Sequence, residues 1–118
     1  MNKNLVACLS SGKGTWGNIK RIIEEGKWEK VFLITNDFGK ENFNIETKCE
    51  MIVVDPRKPM NELIEEIKKG LENINDTEVS LNLISGSGKE HMALITAIIK
   101  LGLGFRLVAL TTEGIKEL

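Results

Sequence analysis

The chain is poor in the residues that build metal centres and disulfide frameworks. It contains two cysteines and one histidine. Cys8 lies inside an apolar run and Cys49 stands between a lysine and a glutamate, so neither has the spacing of a metal ligand. We therefore predict a protein without a metal or another cofactor, in a reduced, cytoplasmic setting.

A dominant charge and a long apolar run are also missing. The 16 basic and 17 acidic side chains leave a net charge of −1, so no global field draws the chain to duplex nucleic acid or to an acidic membrane. No stretch approaches the roughly 20 apolar residues of a membrane span, and the first residues lack the apolar core of a signal peptide. The hydrophobic content of 42% is enough for a core, and we predict one domain over residues 1–118.

Short apolar runs alternate with helical patterns along the chain. These runs span residues 5–9, 31–35, 51–54, 79–84 and 106–110. The run over 5–9 is uninterrupted, which is typical of a strand that is covered on both faces. Apolar residues recur at helical spacing over residues 16–25, 59–74 and 92–101. The segment between the second and third runs has no clear pattern.

This alternation predicts an α/β fold, namely a Rossmann-like, doubly wound, mostly parallel sheet of about five strands with helices on both faces. The expected strand order is 3-2-1-4-5, which makes the first and fourth strands neighbours. Because the chain reverses its winding direction between them, the loops at their carboxyl ends leave a crevice, and ligands of open α/β sheets bind in such crevices.

Two loops rich in glycine, serine and lysine follow these two strands. Loop 1 is Ser10-Ser11-Gly12-Lys13-Gly14-Thr15, and loop 2 is Ser85-Gly86-Ser87-Gly88-Lys89. Glycine turns expose backbone N–H groups, the following helix adds its positive end, and serine and lysine add hydroxyl donors and charge. Tight turns and helix caps explain either loop alone. The pair favours a shared ligand, and we predict a phosphorylated small molecule.

Known phosphate-binding patterns fit only in part. A P-loop requires glycine six residues before its lysine, where this chain has alanine in one loop and leucine in the other. Gly12, Gly14 and Gly17 do match the dinucleotide fingerprint, and Asp37 stands where a ribose contact is expected. A dehydrogenase would need a substrate domain, for which 118 residues leave no room. Nucleotide or dinucleotide binding stays as one alternative, and a non-catalytic scaffold that acts through a protein partner stays as another.

Loop 2 resembles a motif of the CRISPR-associated Rossmann-fold (CARF) domain family. Members have a Ser/Thr-rich loop after the first strand. At the end of the fourth strand they have Asp or Asn, one residue, Ser or Thr, three residues, and Arg or Lys. Residues 85–89 fit the second half of this motif, and Glu90-His91-Met92-Ala93-Leu94 continues similarly into an apolar helix. The Asp/Asn position is Leu83, with Asn82 one residue early, so the first half departs from the pattern.

The resemblance implies a homodimer that binds a cyclic oligoadenylate second messenger across its two-fold axis, with both loops of each subunit facing the ring. Backbone N–H groups at the loop glycines would approach phosphates closely because no Cβ stands in the way. The implied ligand-binding residues are Ser10, Ser11, Gly12, Lys13, Gly14, Thr15, Asn36, Asp37, Ser85, Gly86, Ser87, Gly88 and Lys89, with Asn36 and Asp37 at an adenine or ribose edge.

Some members also cleave their ligand as metal-independent ring nucleases, in which a ribose 2′-OH attacks the adjacent phosphate. By position, Ser11 and Lys89 match residues that similar proteins use for this cleavage, so the resemblance implies them as the catalytic pair. Orientation and charge stabilisation are the only help that the reaction needs. No general base is evident, so any cleavage would be slow, and the chain is either a binding module or a slow enzyme.

The apolar face of Ile95, Ile98 and Ile99 predicts dimerisation near the fourth strand and its helix.

Overall fold

A six-stranded sheet with helices on both faces forms the fold in the computed structural model, which describes residues 2–118. A one-turn 3-10 helix, Lys13–Thr15, leads into the first α-helix. In chain order the elements are β1 (Asn4–Leu9), α1 (Trp16–Glu25), β2 (Lys30–Thr35), α2 (Asp37–Asn42), β3 (Glu50–Val53), α3 (Met60–Leu71), β4 (Glu78–Asn82), α4 (Gly88–Lys100), β5 (Gly104–Thr111) and β6 (Gly114–Glu117).

The sheet confirms the predicted Rossmann-like α/β class. The first five strands are parallel and lie in the order β3-β2-β1-β4-β5, as expected from the sequence. The prediction of about five strands is wrong by one, because β6 pairs antiparallel with β5. A two-residue turn joins them, and Gly114 adopts a φ of +100° that few other residues tolerate.

The element bounds differ from the sequence prediction at several places. The unassigned segment contains α2, a short helix whose N-cap is Asn36: its side chain accepts a hydrogen bond from the Gly39 N–H at 2.9 Å. The helix predicted over 59–74 is α3, which is shorter, at Met60–Leu71. The strand predicted over 79–84 is β4, which ends at Asn82, and β5 is longer than the predicted 106–110. No helix within residues 2–118 has the length and apolar composition needed to cross a bilayer.

The central strands β1, β2 and β4 are buried on both faces, as the uninterrupted apolar run of β1 predicted, whereas the outer strands are only partly buried. Side chains of β1 alternate between two cores: Val6 and Cys8 pack with α3 and α4, whereas Leu5, Ala7 and Leu9 pack with α1. All five are 0–1% exposed. This burial fixes β1 at the centre of the domain and so fixes where loop 1 leaves the sheet.

Candidate functional site

Loops 1 and 2 contact each other at the carboxyl edge of the sheet. The Ser10 N–H donates to Ser85 Oγ at 2.9 Å, and the hydroxyl oxygens of the two serines lie 3.1 Å apart. Ser85 is 2% exposed. The parallel pairing of β1 with β4 brings both strand ends to this edge, so the predicted neighbourhood of the two loops is confirmed. Their binding of a ligand stays a prediction.

Loop 1 is largely exposed to solvent. The four residues from Ser11 to Gly14 are exposed, whereas Thr15 is half-buried. The indole N–H of Trp16 donates to the Ser10 carbonyl at 2.7 Å and pins the start of the loop. Thr15 Oγ1 is shielded from solvent and has no hydrogen-bond partner among residues 2–118. The exposed part of loop 1 therefore offers N–H groups, the Ser11 hydroxyl and the Lys13 ammonium to an anion.

Loop 2 is largely occupied by bonds within the protein. Ser87 and Glu90 form a capping box at the start of α4: the Glu90 N–H donates to Ser87 Oγ at 3.2 Å, and the Ser87 N–H donates to Glu90 Oε1 at 2.9 Å. Glu90 is 8% exposed. The predicted ligand hydroxyls of Ser85 and Ser87 thus already have partners, and a buried carboxylate stands at the positive end of α4.

A histidine and a glycine fix the shape of loop 2. His91 Nε2 donates to the Ser85 carbonyl at 2.7 Å. Gly86 has a φ of +105°, and a Cβ there would lie 3.0 Å from His91 Nε2 and 3.3 Å from the Cβ of Cys8. The sequence analysis assigned no role to His91 and did not find this one. The sequence feature that could have indicated this role is the position of the only histidine, one turn into the helix that follows a glycine turn.

Cys8 lies beneath loop 2 as a packing residue. Burial, and then the charge of the Glu90 carboxylate, raise the pKa of the Cys8 thiol to about 12. A nucleophile needs the thiolate form, which is scarce at neutral pH when the pKa is this high. Its burial and raised pKa therefore make Cys8 a poor nucleophile. Within residues 2–118, no three His, Cys, Asp or Glu side chains lie close enough together to hold a metal ion.

Lys89 is hydrogen-bonded within the protein. Its ammonium donates to the Lys58 carbonyl at 2.6 Å, in the segment between β3 and α3. Lys58 in turn forms an ion pair with Glu66 on α3. No hydrogen bond joins Ser11 to Lys89 in the part of the chain that the structure describes. The assignment of these two residues as a catalytic pair stays a prediction.

Asn36 and Asp37 line a cleft at the carboxyl ends of β2 and β3. The cleft has a volume of about 320 Å³, and Phe38, Val54 and Arg57 also line it. Arg57 donates to both carboxylate oxygens of Asp55 at 3.0 and 3.2 Å. This hydrogen bonding lowers the pKa of the Asp55 carboxyl below its ordinary value. The predicted contacts after β2 thus lie in a real concavity on the same edge as loop 1.

Two sequence details have structural explanations. Asn82 is 3% exposed, and its side-chain amide donates to the Val108 carbonyl at 2.8 Å, so it joins β4 to β5 and does not point at a ligand. Leu83, at the Asp/Asn position of the CARF motif, packs against the core beneath α3 and α4. The structure therefore agrees with the departure of Asn82 and Leu83 from the CARF motif.

The dinucleotide fingerprint lacks its expected steric basis. The third glycine of that pattern permits close packing of the helix on the strand. A Cβ at Gly17 would meet no atom within 4 Å. The match of Gly12, Gly14 and Gly17 to the fingerprint therefore does not reflect the packing that the fingerprint requires, which weakens the dinucleotide alternative.

The turn at Gly86 yields a stability prediction. We expect Gly86→Ala to lower the free energy of unfolding by about 1–3 kcal/mol, because alanine at φ +105° is strained and its Cβ would crowd His91. Gly88→Ala is the matched control: a Cβ there meets nothing within 4 Å, so its effect should be within about 1 kcal/mol and can be favourable. Urea unfolding of both variants measures the difference, and equal stabilities would contradict the account of loop 2.

Comparison with known proteins supports the fold. Neither a protein-family model nor a curated protein sequence matches this chain. Among solved structures, it is similar to the C-terminal domain of a hydrogenase from Pyrococcus furiosus, with 14% sequence identity, a TM-score of 0.50, and coverage of 91% of this chain and 92% of that one. A second crystal structure of that domain gives 12% identity, a TM-score of 0.47, and coverage of 88% and 89%. At 14% identity, the first likeness shows a shared α/β fold alone.

Proposed function

We propose that this protein is a CARF-like sensor that binds a cyclic oligoadenylate in the cytoplasm as a homodimer, with loops 1 and 2 of each subunit facing the ring. The observation that carries the proposal is the contact between Ser10 and Ser85, which joins the two loops at the point where the winding of the sheet reverses. Open α/β sheets bind their ligands at this point.

Loop 1 supplies the anion-binding groups. Its residues Ser11 to Gly14 are exposed, so their backbone N–H groups, the Ser11 hydroxyl and the Lys13 ammonium would be the donors to a phosphate. Because the net charge is −1, recognition of a phosphodiester depends on this local cluster and on Lys89. The Glu90 carboxylate in the capping box reduces what the N-terminus of α4 contributes to an anion.

Lys89 exchanges partners in this proposal. Its ammonium now binds the neutral Lys58 carbonyl. A phosphodiester is a charged acceptor, and charge-assisted hydrogen bonds are roughly twice as strong as those between neutral groups. A ligand on loop 2 therefore competes well for this ammonium, and its binding would free the segment between β3 and α3 from α4.

Slow cleavage of the ligand is compatible with this arrangement. The ribose 2′-oxygen would form a bond to phosphorus while the bond from phosphorus to the 5′-oxygen breaks; the 2′-OH gives its proton to water, and the leaving oxygen takes one from water. Ser11 would orient the phosphate and Lys89 would neutralise the developing charge. His91 Nε2 is committed to the Ser85 carbonyl, so it does not act as the base.

The outer face of α4 is the proposed dimer surface. Met92 and Ile99 are 63% and 61% exposed, and Ile95 between them is half-buried. Ile98, which the sequence analysis assigned to this face, is instead buried in the core. A helix that is apolar on its outer side as well as its inner side fits burial by a partner. Because α4 begins in loop 2, a two-fold axis that runs along α4, with the two helices parallel, would bring two copies of that loop together.

Lys89→Ala tests the binding site. We expect it to weaken binding of cyclic tetra-adenylate or cyclic hexa-adenylate by about 1.5–3 kcal/mol, because a charge-assisted bond is lost. The measurement is the ligand-induced rise in Tm, which should be several degrees for the unaltered protein and smaller for the variant. Lys20→Ala, which removes an exposed lysine from α1, is the control. NAD and ATP serve as competing ligands, and equal shifts with all four nucleotides, or none, would contradict the proposal.

Ser11→Ala tests the cleavage step. We expect the unaltered protein to convert bound cyclic oligoadenylate slowly to linear products without added metal, and the variant to bind the ligand but form product at least about 10-fold more slowly. Chromatography of the recovered nucleotide gives the rate. Intact ligand after prolonged incubation with the unaltered protein would identify a binding module without nuclease activity.

Ile99→Glu tests the dimer. A buried, unpaired carboxylate at an apolar interface is strongly unfavourable, so we expect this variant to sediment as a monomer at micromolar concentrations where the unaltered protein is a dimer. Lys100→Glu, at the next position of the same helix, changes charge without removing an apolar side chain and controls for charge alone. A monomeric unaltered protein at these concentrations would rule out the shared-ligand arrangement.

A further inference from the structure

We propose that Phe38 and the cleft after β2 and β3 form a nucleobase-binding subsite beside loop 1, which takes a planar base with an exocyclic amino group, as in adenine. This inference rests on the proposed function for the position of the phosphates at the two loops. It names the part of the site that would recognise the base.

Phe38 has the exposure and the rigidity that a stacking surface needs. Its side chain is 41% exposed, although it is large and apolar. Its ring centroid lies 5.9 Å from that of Trp16, and Trp16 is held by an edge contact with Phe43, at 5.6 Å between centroids. The bond from the Trp16 indole to the Ser10 carbonyl ties this aromatic group to loop 1. The ring of Phe38 is therefore preorganised, so stacking a base on it costs little side-chain entropy.

Lys13 connects the aromatic group to the anion loop. Its ammonium lies 5.3 Å from the Phe38 ring centroid and 5.7 Å from that of Trp16. A cation at this distance above an aromatic ring is held by its quadrupole while remaining open to solvent. Lys13 can thus pair with a phosphate on loop 1 while the attached base lies against Phe38.

The polar groups of the cleft can hydrogen-bond to a base but repel a phosphate. Asn36 Oδ1 is committed to the Gly39 N–H, which leaves its Nδ2 group as a donor. The Asp37 carboxylate is exposed, and among residues 2–118 it has no ion-pair partner, so it is an acceptor. Arg57 neutralises the other carboxylate of the cleft, Asp55. One donor beside one acceptor matches a base edge that presents a ring nitrogen and an amino group, whereas the free carboxylate repels phosphate.

Substitution at Phe38 tests the subsite with AMP and with ribose 5-phosphate, which carries the same phosphate without a base. We expect Phe38→Ala to raise the Kd for AMP and for cyclic tetra-adenylate by about 5- to 100-fold, the usual contribution of one stacked base. Phe38→Trp should retain binding, and Phe38→Leu, which keeps apolar contact without a π face, should fall between them. Calorimetry, or NMR titration where binding is weak, gives each Kd, and the Tm of each variant shows that it is folded.

The outcomes separate this inference from the proposed function. Unchanged Kd values in Phe38→Ala, or an equal loss for ribose 5-phosphate, would overturn the subsite while leaving cyclic oligoadenylate binding intact. AMP binding that depends on Phe38, without any binding of cyclic oligoadenylate, would support the subsite and overturn the proposed function. If the unaltered protein binds neither adenine nucleotide, both are wrong.

Discussion

The parallel pairing of β1 with β4 is the constraint on which the site depends. Leu5 pairs with Ser80 and Ala7 with Asn82, so both strands end at one edge of the sheet, and α1 and α4 leave it on opposite faces. Beyond the last paired residues, the chain segments that follow β1 and β4 stay joined. The Ser10 N–H donates to Ser85 Oγ, a side-chain acceptor, where a sheet would use a backbone carbonyl. The two loops are held together before any ligand arrives, which lowers the entropic cost of binding one.

The fold could be predicted because its signals are local. The apolar runs of β1 and β2 are too short for helices and too uniform for strands with one face in water, and this burial on two faces implies a central parallel sheet. Strand β6 escaped prediction because Ile115 is the one apolar residue between Gly114 and Glu117. Its pairing comes from the turn and from the edge of β5. Likewise α2 is a six-residue helix that its Asn36 cap and its packing define, and no apolar periodicity marks it.

The site could be predicted in position but not in detail. Residue types and spacing indicated two loops that could donate to phosphate, and their adjacency followed from the strand order. The same serines can also act as internal acceptors, and sequence does not distinguish the two uses: Ser87 caps α4, and Ser85 connects the loops. The partner of Lys89 is the Lys58 carbonyl, 31 residues away. Such a contact depends on how α3 packs on α4, which no short motif encodes.

The two loops therefore differ in what remains available to a ligand. In loop 2, a buried carboxylate already accepts the Ser87 N–H that would otherwise face an anion at the end of α4, and it adds negative charge there. In loop 1, the residues from Ser11 to Gly14 are exposed, and the ammonium of Lys13 lies over the Phe38 ring. In the proposed site the division of roles follows from this difference: loop 1 offers the donors, while loop 2 holds loop 1 in position through Ser85 and contributes the charge of Lys89.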